Sequence, residues 1–73
     1  DRKEASELRN MESSINAADK KVEQAAAALE DPAIARDAEE LQARQIKLDE
    51  ARAKVAALYA RWEELEAKSR AGQ

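Results

Sequence analysis

Apolar residues recur in steps of three and four along almost the whole chain. In the first half Leu8, Met11, Ile15, Ala18, Val22, Ala25 and Leu29 keep this rhythm. In the second half Leu41, Leu48, Val55 and Trp62 recur every seven residues, with Ala51, Leu58 and Leu65 between them. A period of 3.5 residues is that of a helix burying one narrow stripe against another helix. The only proline, Pro32, falls between the two runs. The spacing therefore predicts an all-α fold, a two-helix antiparallel coiled-coil hairpin.

The first helix is expected over about residues 1–30, the hinge over about 30–37 and the second helix over about 37–70. Pro lacks an amide proton and disfavours helix in the residue before it, so the first helix has to stop near Glu30. Two starts for the second are open. Asp31 can cap a new turn with Pro32 at its first position, or Asp37 can cap the long helix with Glu40 three residues on. Gly72 and Gln73 are expected to fray.

Folding the chain about Pro32 sets the expected layers: Ala25 near Leu41, Ala18 near Leu48, Ile15 near Ala51, Met11 near Val55 and Leu8 near Leu58. Val22 then faces Arg44, whose guanidinium is expected to rise to water. Glu4 faces Trp62. In this register the second helix overhangs the first, and Tyr59, Trp62 and Leu65 form an apolar end without a partner. The expectation is that residues preceding Asp1 in a larger protein complete that end, this chain being a C-terminal fragment of it.

Composition narrows the function classes. At 73 residues with 40% charged and 3% aromatic side chains, the hairpin has one buried seam and nothing to line an enzyme-sized pocket. With no Cys and no His, thiol nucleophiles, disulfides, zinc sites and imidazole bases are excluded. No apolar run approaches the ~20 residues that span a bilayer. The fragment is expected to be non-enzymatic, without metal or cofactor, cytoplasmic and monomeric. The net charge of −3 weighs mildly against a nucleic-acid partner, but its distribution matters more.

Lys47, Lys54, Arg61 and Lys68 repeat every seven residues and so form one basic stripe beside the seam, with successive cations ~10.5 Å apart. Lys21 on the first helix lies near Lys47 and widens it. Such a stripe suits a phosphate backbone, although flanking positions of coiled coils carry charge for pairing and solubility as a rule. Glu7 is placed to pair with Lys54 or Arg61. Trp62 occupies a seam position, so packing accounts for it better than base stacking. Glu63, Glu64 and Glu66 are read as an exposed acidic run rather than a catalytic or metal-binding set. Ile46 lies off the seam and is expected to be exposed.

Three segments resemble a known family. They are the opening KEASEL (3–8), the hinge LEDPAIARDAEEL (29–41) and the ending YARWEELEA (59–67). Together they are similar to the C-terminal coiled-coil domain of ABC-F ATPases, in particular the Uup-like proteins. Asp31, Pro32 and Asp37 match the hinge pattern of that family. Tyr59, Arg61, Trp62, Glu63, Leu65 and Glu66 match its aromatic ending. The chain departs from it after the proline, where Ala33, Ile34 and Ala35 stand in place of an aromatic. The resemblance implies an accessory arm of a soluble ATPase with paired nucleotide-binding domains, associated with the ribosome or DNA. A Gly-rich phosphate loop is absent, the only glycine being Gly72, so ATP binding is not expected of the fragment itself.

The resulting expectation is a non-catalytic arm contacting DNA or ribosomal RNA, weakly and salt-sensitively, through Lys47, Lys54, Arg61, Lys68 and Lys21. Two alternatives stay open: a purely structural or protein-docking coiled coil, and the tRNA-contacting arm of valyl-tRNA synthetase.

Overall fold

The structure, a computed structural model, describes residues 2–71. Asp1 and the expected fraying of Gly72 and Gln73 lie outside the described residues. Two helices, α1 (Arg2–Leu29) and α2 (Ala38–Ala71), pack antiparallel and are joined by a short 3-10 turn over Pro32–Ile34. The molecule is a rod of 56 × 15 × 14 Å.

Each helix end has a local cause. Asp31 is extended (φ −63°, ψ 117°), as the residue before a proline must be. Its Oδ1 accepts from Ala33 N at 2.9 Å, capping the 3-10 turn. Asp37 caps α2, its Oδ1 accepting from Glu40 N at 3.1 Å. The two starts that the sequence left open are therefore both used, one for each helical piece. The reciprocal half of a capping box does not form. Asp37 N donates to the Ile34 carbonyl at 2.9 Å, and the Glu40 carboxylate accepts instead from Arg44 Nε at 3.0 Å.

Arg44 corrects one expectation. Its guanidinium does not rise to water. Nη1 donates to the Ala28 carbonyl at 2.7 Å and reaches Asp31 Oδ2 at 3.5 Å. Ala28 is in the last turn of α1, where carbonyls lack helical donors and a positive charge is favoured. That turn has no basic residue of its own, so α2 supplies one. Glu40 first, and Asp31 after it, raise the Arg44 pKa above its ordinary value.

The register is the larger correction. Leu8, Met11 and Ile15 of α1 share one cluster with Leu58, Trp62 and Leu65 of α2. Ala25, expected near Leu41, lines a hollow with Lys47 and Ala51, and Glu4, expected opposite Trp62, accepts a hydrogen bond from Lys68. These shifts amount to a slip of one heptad, about 10 Å along the axis. A repeating seam looks the same after a slip of seven residues, so periodicity cannot choose between the two registers. The hinge does. Its 3-10 turn carries the chain past the end of α1 and lies in contact with α2. Ile34, only 7% exposed, closes the seam there.

The slip removes the expected overhang. Leu65 is 2% exposed and Trp62 half-buried against Met11 and Ile15. Of the three residues assigned to an open apolar end, only Tyr59 is exposed, at 47%.

Candidate nucleic-acid interface

The structure divides the five expected cations into two groups. Lys21 from α1 and Lys47 and Lys54 from α2 line one shallow hollow of about 570 Å³, with Gln24, Ala25, Glu50 and Ala51. The seam positions Ala25 and Ala51 are small, which lets the surface dip between the helices. The flanking heptad positions then place the three ammonium groups around the rim. No carboxylate among the described residues lies within 4.0 Å of any of the three. One acid, Glu50, shares the hollow with them.

Arg61 and Lys68 are engaged elsewhere. Arg61 grips Glu7 with two hydrogen bonds, Nε to Oε2 at 2.8 Å and Nη2 to Oε1 at 3.0 Å. It also donates from Nη1 to Glu64 Oε1 at 2.8 Å. Lys68 Nζ donates to Glu4 Oε2 at 2.8 Å and lies 3.7 Å from Glu64. These contacts bind the open end of the hairpin, joining the start of α1 to the end of α2. The charges shift one another accordingly. The hydrogen bond from Lys68 holds the Glu4 carboxyl below its usual range, and that from Arg61 does the same for Glu7. In return Glu7 raises the Arg61 guanidinium and Glu4 raises the Lys68 ammonium.

Among the described residues no group of His, Cys, Asp or Glu side chains is placed to hold a metal ion. Among the described residues no helix is long and apolar enough to cross a membrane.

The sequence profile of the ABC transporter C-terminal domain matches residues 1–67, nearly the whole hairpin. The chain belongs to that family. The resemblance of the hinge and aromatic ending to the ABC-F coiled-coil domain is thereby supported, and the hairpin is an accessory domain of an ABC protein. No curated protein and no solved structure matches significantly. Within this ABC transporter C-terminal domain the aromatic ending has a structural use. Trp62 and Leu65 build the cluster that closes the hairpin, and Arg61 locks it to α1. The Ile34 plug had a sequence signal: it is the one large apolar residue in the hinge.

Proposed function

We propose that this hairpin is a non-catalytic arm of a soluble, Uup-like ABC-F ATPase that touches a nucleic-acid phosphate backbone, DNA or ribosomal RNA. The observation that carries the reading is the hollow ringed by Lys21, Lys47 and Lys54, whose charges no carboxylate within 4.0 Å neutralises among the described residues. Lys47 and Lys54 are one heptad apart on α2, and Lys21 faces them from α1. Three ammonium groups on two rods can follow a backbone without reading bases, since helix-flank lysines position and do not specify. Arg61 and Lys68 belong to the same stripe by spacing. Their hydrogen bonds to Glu7 and Glu4 would have to be exchanged for phosphate, so the three lysines carry the larger share.

The test is the binding of the 73-residue chain to fluorescently labelled duplex DNA and to an RNA hairpin at low salt. Binding is expected to be weak and indifferent to sequence. Release of about three counterions gives a slope of log affinity against log salt near −3. Replacing Lys21, Lys47 and Lys54 together by Gln is expected to abolish it with helicity intact, whereas Arg61→Gln leaves most of it. Absence of binding by the parent at low salt, or unchanged binding by the triple variant, removes the lysine hollow as a site and leaves a structural arm.

A further inference from the structure

On α2, toward its C-terminus, lies a second hollow of about 270 Å³, lined by Tyr59, Trp62, Glu63 and Glu66. Its chemistry is opposite to that of the lysine hollow. The rings of Tyr59 and Trp62 are stacked, with centroids 6.2 Å apart and planes at 26°. Trp62 rests partly on the core cluster, and its remaining surface lines the hollow beside the exposed Tyr59.

The two carboxylates at this rim are weakly used. Glu63 has no ion pair among the described residues, and Glu66 is approached only by Arg70 at 4.0 Å. Arg70 is itself 75% exposed and does not line the hollow. Glu64, between them in sequence, is by contrast held by Arg61 at 2.8 Å.

We infer that this hollow docks an arginine-bearing segment of a partner protein. Ring faces present negative charge to a cation, and carboxylates beside them supply hydrogen-bond acceptors. A phosphate would be repelled by both glutamates. A purely apolar partner would strip water from them without replacing it. A guanidinium meets both requirements, because it is planar enough to stack on the ring pair and forked to engage a carboxylate. An ammonium is more strongly hydrated and lacks the plane. Arg70, drawn to Glu66 without filling the hollow, displays the same attraction in a weaker form. The inference stands apart from the phosphate reading, since it uses different residues and a partner of opposite charge.

Trp62, the only tryptophan, reports on the site directly. The 73-residue chain is titrated with the peptide acetyl-Gly-Arg-Gly-Arg-Gly-amide and with its citrulline counterpart, which keeps the shape and loses the charge. The arginine peptide is expected to change Trp62 fluorescence saturably, and the citrulline peptide is not. The double variant Glu63→Gln/Glu66→Gln is expected to weaken binding roughly tenfold. Glu12→Gln/Glu23→Gln alters charge equally at exposed positions of α1 and is expected to leave binding unchanged. Tyr59→Ala, which retains both carboxylates, is expected to weaken it several-fold. A silent Trp62, or equal losses in the two glutamate pairs, overturns the inference in favour of diffuse attraction to an acidic rod. Should the Glu63/Glu66 variant lose helicity, unchanged binding by Tyr59→Ala overturns it alone.

Discussion

Arg61 on α2 holds Glu7 on α1 through a forked pair of hydrogen bonds, at 2.8 and 3.0 Å. Fifty-four positions separate the two residues in the chain, so this contact exists only when the hairpin is closed. A forked guanidinium–carboxylate pair is directional as well as attractive. It therefore ties the start of α1 to the end of α2, next to the cluster of Met11, Ile15 and Leu65.

Acid is expected to open that end first. Lys68 lowers the Glu4 pKa and Arg61 lowers that of Glu7. A carboxyl depressed by folding contributes stability above its unfolded pKa and loses it as pH falls through the folded one. The contribution is thus present at neutral pH and disappears below the ordinary carboxylate range. Amide protection relative to the unfolded chain should fall in the first two turns of α1 on acidification before it does near the hinge. Glu7→Gln should lower the melting temperature at neutral pH and flatten its acid dependence.

Leu65→Ala should cost about 2–4 kcal/mol, since it empties a nearly fully buried position where Leu65 is 2% exposed. Chemical denaturation measures the loss, and Trp62 emission should move to the red as its neighbour disappears. Tyr59→Ser on the exposed flank should stay within about 0.5 kcal/mol of the parent.

Asp37→Ala should cost about 1 kcal/mol by removing the cap on Glu40 N. Ile34→Ala should cost more, about 2 kcal/mol or above, because it opens the plug of the hinge. Both are read from denaturant midpoints. Equal effects would mean that the cap, and not the plug, organises the turn.

Arg44→Met should lower thermal stability although it adds an apolar residue to the seam. The Ala28 carbonyl loses its donor, and the last turn of α1 loses the positive charge that α2 supplies. Exchange of amides near Glu30 should accelerate in that variant. An unchanged melting temperature would show that the methionine compensates by packing.

The chain is expected to sediment as a monomer at micromolar concentration, because α1 and α2 already bury each other's stripe. A stable dimer would mean that the helices pair between molecules in an extended form.

The two helices, the breaker between them and their antiparallel packing were legible in the sequence. They follow from heptad spacing and one proline, and these act locally. The acidic exposed run, the exposed Ile46 and the packing role of Trp62 followed from the same periodicity. The partner of each seam residue was not legible, because a heptad repeat maps onto itself after seven residues and leaves registers a heptad apart equivalent. Only the folded hinge broke that degeneracy. Its 3-10 turn, capped by Asp31 and plugged by Ile34, fixes how far α2 slides along α1. From that slide follow the burial of Leu65 and the reach of Arg44 to Ala28, whereas Arg61 was one of the two partners that spacing offered to Glu7. The same slide decides which cations of one evenly spaced stripe are spent on carboxylates and which face open water. Charge spacing is written along one helix, whereas neutralisation depends on what the other helix brings alongside.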